Sequence, residues 1–438
     1  MAMHIATAEG TVESLVIEGG VPLSGTVKPA GNKNAALPII AACLLTSYPV
    51  TLENVPRIRD VEAMLELIAE IGVDVEWLET NTVRVWAADV TKTTLDPELC
   101  ERIRASILVA GPLLARFGAA DVPPPGGDVI GRRRVDTHLM AFAALGAEVT
   151  GNREYRMRAP NGLTGADIYL DEASVTGTEN ALMAAAGATG ETRITNAACE
   201  PHVQDLCRML QKMGAEIDGI GSNVVTVRGS KDLRGCTYRI CADHIEVASF
   251  IGLAAVTGGD LTITDAAVEH LRAIRHAFWR MGVDIEVHGD DVRVGPGQTL
   301  EIVDDLRGQI PKIEDGPWPM FPADLTSVAV AVATQAKGTV LIFEKMFENR
   351  LIFTDKLVSM GARIILCDPH RAVVSGPSHL YGERMESPDI RAGMAMLIAS
   401  LCAEGTSRIG NVGQIDRGYE RIDERLRALG ARIERIEA

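Results

Sequence analysis

The chain has 438 residues, of which 47% are hydrophobic and 23% are charged, a composition typical of soluble globular proteins. Its formal net charge of −16 disfavours nucleic acid as a partner, because an acidic protein repels a polyanion. An aromatic content of 4% also argues against a surface on which bases stack. Since single cores stop growing at about 250–300 residues, the length predicts two domains.

The spacing of the cysteines and the length of the apolar segments indicate where in the cell the protein would be found. The eight cysteines form no CxxC pair and have no histidine at metal-ligand spacing, which predicts reduced thiols in a cytoplasmic protein and no metal site. The longest apolar run among the first fifty residues, 37–45, is too short to span a bilayer. We therefore expect no membrane partner.

The first predicted elements are a strand at 14–17 and a Gly-rich loop at 25–34 that enters a helix at 35–45. A second loop, 240–246, enters a helix at 247–256 in the same way. No Pro- or Ser-rich linker marks either place. The two loops are the expected seams between two halves of the chain, with a cleft between the halves.

One pattern recurs six times: an amphipathic helix, a glycine between apolar residues, and a short strand. In the copy at 206–217, Leu206, Met209 and Met213 lie on one helical face, and Gly214 follows as a helix C-cap. The copies are about seventy residues apart, a length that suits a βαβ-type module. The repeat therefore predicts an α/β protein with three units in each half. Its glycines are Gly72, Gly146, Gly214, Gly282, Gly361 and Gly430.

Residues 123–134 differ from the rest of the chain. Their prolines and glycines exclude a helix or a central strand, so we predict an exposed loop that moves. The end of the loop carries Asp128 and the three arginines 132–134. Loops that combine mobility with converging charge are often functional.

Common catalytic signatures are absent from the sequence, including GxxxxGK[ST], GxGxxG, HExxH and GxSxG. What remains is a distributed set of basic residues in glycine-punctuated loops. Each of them alone would be an ordinary exposed charge, so only their combination is informative. They are Lys33, Arg104, Arg133, Arg350, Arg391 and Arg417.

Six stretches carry a resemblance to a known family. They are GNKNAALP (31–38), RIRASILVAGPLLARFG (102–118), PGGDVIGRRRVDTH (125–138), FPADL (321–325), FENR (347–350) and IDRGYERID (415–423). In these stretches the chain resembles the UDP-N-acetylglucosamine enolpyruvyltransferases of the EPSP synthase superfamily, and the match runs essentially end to end.

The resemblance implies an α/β fold of two inside-out α/β barrels, with helices inside and sheets outside. Six repeated βαβαββ-type units would give each domain pseudo-threefold symmetry. One domain would comprise 33–241 and carry the loop 123–134, and the second would comprise 1–32 plus 242–438. The active site would lie in the cleft between them.

The implied activity is transfer of the enolpyruvyl group of phosphoenolpyruvate to the 3-hydroxyl of UDP-N-acetylglucosamine, with release of phosphate. This is the first committed step of peptidoglycan synthesis. The implied partners are these two small molecules, and the scheme requires no metal or organic cofactor.

The family's functional residues map onto specific positions here. The resemblance places catalytic roles on Asp128, Asp324, Lys33 and Arg417. It places phosphoenolpyruvate contacts on Lys33, Asn34, Arg133, Arg350, Arg391 and Arg417. It places UDP-sugar contacts on Asn34, Arg104, Arg133, Arg134, Val135, Asp136, Thr137, Ser174, Val175, Asp324 and Met346.

These residue types suit the chemistry. Phosphoenolpyruvate carries two anionic groups and the nucleotide sugar a diphosphate, and guanidinium groups match both carboxylate and phosphate. Addition of the 3-hydroxyl to C2 needs a base, for which we predict Asp324, and an acid that protonates C3. We predict Asp128 as the acid, although the commonest family pattern has Cys at this loop position. The simpler alternative is that Asp128 only forms a turn with Gly127.

Other departures from the family pattern keep the acceptor open. Glu172 stands where a family Lys often contacts the nucleotide, Thr176 replaces a small residue, and Arg134 replaces a Pro. One alternative is enolpyruvyl transfer to a different nucleotide or nucleotide sugar. Another is a catalytically idle nucleotide-sugar sensor, which would have no need to retain the phosphoenolpyruvate contacts. Action on shikimate 3-phosphate is disfavoured, because 31–38 and 125–131 do not match the loops of that relative.

Overall fold

The computed structural model describes residues 13–127, 130–131, 133–151 and 154–437. Its helices are α1 (Lys33–Ala42), α2 (Arg59–Glu70), α3 (Pro97–Arg102), α4 (Ala110–Phe117), α5 (Asp136–Ala144), α6 (Val175–Ala186), α7 (Pro201–Met213), α8 (His244–Thr257), α9 (Arg272–Arg280), α10 (Thr326–Ala333), α11 (Thr354–Ser359), α12 (Ile390–Cys402) and α13 (Ile422–Ala428).

The strands are β1 (Glu13–Glu18), β2 (Ser24–Val27), β3 (Val50–Glu53), β4 (Asp74–Glu79), β5 (Thr82–Trp86), β6 (Ala119–Val122), β7 (Glu148–Thr150), β8 (Tyr155–Arg158), β9 (Asp167–Tyr169), β10 (Glu191–Thr195), β11 (Glu216–Asp218), β12 (Val224–Arg228), β13 (Thr237–Arg239), β14 (Asp260–Ile263), β15 (Glu286–His288), β16 (Asp291–Val294), β17 (Lys312–Glu314), β18 (Gly338–Phe343), β19 (Arg363–Asp368), β20 (Arg371–Gly376), β21 (Arg384–Glu386), β22 (Thr406–Gly410) and β23 (Arg432–Glu437).

The strands of the described residues form six small sheets, three in each half. In strand order these are β13-β3-β5-β4, β6-β8-β7 and β11-β12-β10-β9 in one half, and β15-β16-β14-β2, β17-β18-β20-β19 and β21-β22-β1-β23 in the other. Each four-stranded sheet has one parallel and two antiparallel pairs, as a βαβ crossover followed by a hairpin produces. In the three-stranded sheet, a single parallel bridge between Thr94 and Asp121 takes the place of the parallel strand.

The six repeat glycines lie where the sequence predicted them. All have positive φ, from 76° at Gly282 to 111° at Gly214, and each follows a helix and precedes a strand. A side chain at such a φ would clash with the backbone, so glycine ends the helix at low cost. The predicted architecture of six βαβαββ units in two halves is confirmed.

The interior of each half is built from helices. In the second half, α8, α10 and α12 pack against one another and almost every residue on them is buried. Gly252 of α8 allows this close approach, because a Cβ there would lie 2.9 Å from Cγ2 of Val332 on α10. The sheets cover these helices from outside, as the predicted inside-out arrangement requires.

Buried hydrophobic residues form two clusters, one drawn from 35–240 and one from 15–27 and 245–433. The chain passes between them twice, and the two crossings lie side by side. The backbone N–H of Asn32 donates to the oxygen of Cys241 at 2.8 Å, and that of Asp243 donates to the oxygen of Ala30 at 2.9 Å. The clusters fall on either side of the predicted seams, while the domain boundaries themselves remain a prediction.

Two predicted helices begin earlier than the apolar pattern suggested, because side chains cap them. The Asn32 side chain accepts the N–H of Ala35 at 3.0 Å, so α1 begins at Lys33. Asp243 accepts the N–H of Ile245 at 2.9 Å, so α8 begins at His244.

The described part of the loop 123–134 is less exposed than predicted. Pro123 and Ile130 are buried, and the backbone oxygen of Ile130 accepts the N–H of Asn349, in the other half, at 3.0 Å. The N–H of Gly126 donates to the oxygen of Cys100 at 3.1 Å. The described residues of the loop therefore contact both halves.

All eight cysteines are free thiols. Among the described residues, each helix is too short or too polar to cross a bilayer.

Candidate active site

All six basic residues singled out from the sequence line one cavity of about 230 Å³ between the two halves. Four other predicted site residues line it as well, namely Asn34, Val175, Asp324 and Met346. The structure therefore brings together side chains that lie almost four hundred positions apart in the sequence. We call the part of the cavity formed by Lys33, Arg350, Arg391 and Arg417 the anion end.

Asp324 lies at the anion end, on a 3₁₀ turn before α10. Its Oδ1 accepts from Nη2 of Arg350 at 2.9 Å, and its Oδ2 accepts from Nη2 of Arg391 at 2.8 Å. The side-chain amide of Asn34 donates to Oδ2 at 3.3 Å. Burial by itself would raise the pKa of Asp324, but the charges of Arg391, Arg350 and Lys33 outweigh it and hold the pKa well below its usual value. Asp324 is therefore ionised.

A second carboxylate at the anion end was missed from the sequence. Asp60, in the first turn of α2, lies 2.8 Å from Nζ of Lys33 and accepts from Nε of Arg417 at 2.8 Å. Burial would raise the pKa of Asp60, but Lys33 and Arg417 lower it below its usual value. Asp60 thus joins a cation of one half to a cation of the other. An isolated acid in a first helical turn carries no sequence signal for this role, since such acids commonly stabilise the helix dipole.

Arg104 connects the cavity to the loop 123–134. Its Nη2 donates to the backbone oxygen of Arg133 at 2.7 Å and to that of Arg134 at 3.1 Å. Burial, followed by the neighbouring charge of Arg133, lowers the pKa of Arg104 to about 10, so it remains a cation at neutral pH. Arg104 thereby fixes the end of the loop at the cavity wall.

The other residues predicted on the nucleotide side lie next to the cavity rather than on its wall. Nη2 of Arg134 donates to Oδ2 of Asp171 at 2.9 Å, and the hydroxyl of Thr137 donates to Oδ1 of the same carboxylate at 2.9 Å. Ser174 caps α6 by accepting the N–H of Gly177 at 3.2 Å. Five of the predicted residues do not line the cavity, namely Arg134, Val135, Asp136, Thr137 and Ser174. Asp171, which accepts hydrogen bonds from Arg134 and Thr137, was not predicted.

Met346 is held by a buried acid pair behind the cavity wall. Oε1 of Glu344 accepts the N–H groups of Met346 at 3.2 Å and of Phe347 at 3.0 Å. Burial, and then the nearby carboxyl of Asp315, raises the pKa of Glu344 to about 8. This turn leads directly to Arg350, so the acid pair supports the anion end from behind.

The cavity has a further polar wall that the sequence analysis did not identify. It includes Glu179, Glu200, His202, His244 and Trp318. His202 and His244 stack with ring centroids 6.4 Å apart, and the ring of Trp318 lies edge-on to His244 at 6.1 Å. These residues belong to no motif, and only their positions in the fold bring them together.

Asp128, the predicted general acid, lies outside the described residues, and its role stays a prediction. The neighbouring Ile130 and Arg133 line the cavity.

Comparison with known proteins agrees with the fold. The family model for EPSP synthase (3-phosphoshikimate 1-carboxyvinyltransferase) matches residues 17–426. The UDP-N-acetylglucosamine 1-carboxyvinyltransferase of Bradyrhizobium diazoefficiens is 61% identical over 421 residues, which cover 96% of this chain and 97% of the relative. The enzyme of the same name from Treponema denticola is 54% identical and covers 96% of this chain and 98% of its own length.

Two solved structures are also similar. The enolpyruvyl transferase NikO from Streptomyces tendae has a TM-score of 0.86 at 26% identity, over 98% of this chain and 100% of the other. EPSP synthase from Acinetobacter baumannii has a TM-score of 0.74 at 18% identity, over 98% of this chain and 100% of its own, and supports the fold alone. The length of the family match and the identity to the curated relatives show that the chain belongs to the EPSP synthase family, among the UDP-N-acetylglucosamine 1-carboxyvinyltransferases.

Proposed function

We propose that this protein transfers the enolpyruvyl group of phosphoenolpyruvate to the 3-hydroxyl of UDP-N-acetylglucosamine and releases phosphate, as the first committed step of peptidoglycan synthesis. The observation that carries the proposal is the convergence of six basic side chains from both halves on one cavity that also contains Asp324. The relatives at 61% and 54% identity supply the acceptor, since both are named for UDP-N-acetylglucosamine.

Phosphoenolpyruvate binds at the anion end in this proposal. Its carboxylate and phosphate are both matched by guanidinium forks, and Lys33 adds a compact ammonium charge. In the structure these cations pair with Asp60 and Asp324. Binding therefore exchanges internal carboxylates for the carboxylate and phosphate of the substrate.

This exchange explains how Asp324 becomes a base. A carboxylate held by two guanidinium groups is a weak proton acceptor, because its pKa lies well below the usual range. When the substrate draws Arg350 and Arg391 towards its own anionic groups, the pKa of Asp324 rises towards its ordinary value. The base thus gains strength only when phosphoenolpyruvate is present, which limits proton removal from the acceptor alone.

The reaction then proceeds in two stages. The 3-hydroxyl oxygen forms a bond to C2 and its proton passes to Asp324, while C3 accepts a proton from the acid that we assign to Asp128. The resulting tetrahedral adduct keeps the phosphate on C2. In the second stage the C2–O bond to phosphate breaks and C3 loses a proton, giving the enolpyruvyl ether and inorganic phosphate. In this proposal Lys33 and Arg417, which both line the cavity, stabilise the departing phosphate.

The direct test is phosphate release from phosphoenolpyruvate, with UDP-N-acetylglucosamine, other UDP-sugars and UDP as separate acceptors. We expect release with UDP-N-acetylglucosamine and a product whose mass increases by one enolpyruvyl group. Release with a different acceptor only would support the alternative acceptor, and no release with any acceptor would support the sensor. A cytoplasmic location, predicted from the eight unpaired cysteines, forms part of the proposal.

A further inference from the structure

The six repeat units provide six equivalent edge strands that can be compared with one another. In each unit the strand that follows the repeat glycine lies at the edge of its sheet, and these strands are β4, β7, β11, β15, β19 and β23. The fourth residue after the glycine is exposed in every copy. In chain order this residue is Glu76, Thr150, Asp218, Glu286, Ile365 and Glu434. Five copies are therefore polar at this position, whereas β19 is apolar.

The polar residues of the other copies have a physical role. The edge of a sheet presents unpaired N–H and C=O groups, and charged side chains on an edge strand keep a second chain from pairing with it. β19 lacks this protection, because its four central residues are Ile364, Ile365, Leu366 and Cys367. The side chains of Ile365 and Leu366 are 68% and 45% exposed. Among the described residues β19 pairs with β20 on one side and with no strand on the other, so its free edge is open to another strand.

The register of β19 against β20 shows which of its side chains share a face. Ile364 and Leu366 lie opposite buried residues of β20, on the inner face of the sheet. Arg363, Ile365 and Asp368 lie opposite residues of β20 that are partly or fully exposed. The register shifts between Leu366 and Asp368, which marks a bulge with one extra residue. Because of the bulge, the outer face of β19 carries Arg363, Ile365 and Asp368 at equal steps along the strand.

This pattern is complementary to itself when a second β19 runs antiparallel to the first. With a twofold axis at Ile365, the two Ile365 side chains lie opposite each other, and Arg363 lies opposite Asp368 of the partner subunit at both ends. Opposite charges that face each other across an antiparallel pair stabilise it, and the facing isoleucines bury apolar surface. Arg363 is exposed and forms no ion pair among the described residues, so it can meet this carboxylate.

We propose that β19 is the interface at which two copies of this chain associate. The β19 strands of the two protomers pair antiparallel about a twofold axis, so that two four-stranded sheets join into one. Exposed apolar side chains extend the interface beyond the strand. Val358 and Tyr381 are exposed, and the N–H of Tyr381 donates to the oxygen of Met360, just before β19, at 2.8 Å. The inference is independent of the proposed function, because no residue of β19 lines the cavity.

The first test measures the mass of the full chain by sedimentation equilibrium over a range of concentrations. We expect the mass of the parent to approach twice the 46.9 kDa of one chain as the concentration rises. Ile365→Glu gives β19 the residue that three other copies have at this position, and it should weaken association tenfold or more with an unchanged circular dichroism spectrum. Asp218→Lys, at the equivalent exposed position of β11, is the matched control and should associate as the parent does.

A second test exchanges the charges at the ends of the strand. Arg363→Glu alone and Asp368→Lys alone each place like charges opposite one another at both ends of the paired strands, so each variant should associate at least tenfold more weakly than the parent. In an equimolar mixture the introduced glutamate of one chain faces the introduced lysine of the other, and the second end keeps its original pair. We therefore expect the mixture to form dimers again, which a variant that merely fails to fold would not do.

Three results would overturn the interface. The first is the mass of a single chain for the parent at every concentration. The second is a parent dimer that Ile365→Glu leaves as stable as before, which would place the contact on another surface. The third is a mixture of Arg363→Glu and Asp368→Lys that associates no better than either variant alone.

Discussion

The anion end and the polar wall around Glu179 and His202 share one cavity, but their polar groups are arranged in opposite ways. At the anion end each carboxylate already contacts two cations, as Asp60 does with Lys33 and Arg417. On the polar wall, by contrast, Glu179 and His202 each keep a buried atom without a partner among the described residues. The difference follows from the charge of the groups themselves. Unpaired buried cations would be too costly, so internal carboxylates hold them until an anion arrives, whereas neutral groups are less costly to leave unpaired.

The largest loss of activity is expected from Asp324→Asn, at the anion end. The variant keeps an acceptor for Arg350 and Arg391 but cannot take the proton of the 3-hydroxyl. We expect kcat for phosphate release to fall on the order of 10² to 10⁴-fold. Asp284→Asn, at an exposed position, is the control and should retain full turnover. A fall of less than tenfold for Asp324→Asn would show that the base lies elsewhere.

The next largest effect is expected from Asp128, because we assign the protonation of C3 to this residue. We expect Asp128→Asn to lose on the order of a hundredfold or more in turnover, while Asp128→Cys, the commonest family residue, retains activity. The resemblance implies that a cysteine at this position is alkylated by the epoxide fosfomycin, so the same pair of proteins tests reactivity towards it. The Cys variant should be inactivated and the parent should resist. Full turnover in Asp128→Asn would mean that the proton comes from another group.

Asp60→Asn should lower the stability of the protein through its effect on the anion end. Removal of one partner from a buried ion pair leaves the charges of Lys33 and Arg417 uncompensated, so the free energy of unfolding should fall by about 3 kcal/mol. Because an anion can replace the lost carboxylate, added inorganic phosphate should raise the melting temperature more in the variant than in the parent. Asp355→Asn, an exposed residue, is the control. Equal stabilisation of variant and parent by phosphate would contradict the exchange of partners at the anion end.

The smallest effect is expected at Glu344, behind the anion end, and concerns the pH dependence of stability. Burial, with the carboxyl of Asp315, raises the pKa of Glu344 from 4.5 to about 8, so the folded protein binds more protons than the unfolded chain between these values. The contribution of Glu344 to stability should therefore fall as the pH rises from about 5 to about 8, so the stability of Glu344→Gln relative to the parent should rise over this range. Denaturant titrations at pH 5, 6, 7 and 8 measure it, with the exposed Glu301→Gln as control. Parallel pH curves for Glu344→Gln and the parent would refute it.

Much of the fold could be predicted from the sequence because the repeat is local. A glycine such as Gly214 ends a helix for reasons contained within a few residues, and six copies make the pattern specific. The starts of α1 and α8 were less predictable, because their caps Asn32 and Asp243 precede the apolar pattern. The burial of Ile130 depends on contact with the other half, and no local signal reports that contact.

The site was predictable where the resemblance supplied motifs, as for Lys33 in 31–38 and Arg417 in 415–423. Asp60 was not, because one acid in a first helical turn resembles many others. Glu179 and His202 lie on different helices of the same half, and Trp318 comes from the other half. Their shared wall is a product of tertiary packing alone.

The most direct test of the account measures the two substrates separately in Arg417→Gln. KM for phosphoenolpyruvate and KM for UDP-N-acetylglucosamine should be determined in this variant and in the parent. The account predicts that Arg417→Gln raises KM for phosphoenolpyruvate tenfold or more while KM for the nucleotide sugar changes less than twofold. Equal increases in both KM values would contradict the binding of phosphoenolpyruvate at the anion end.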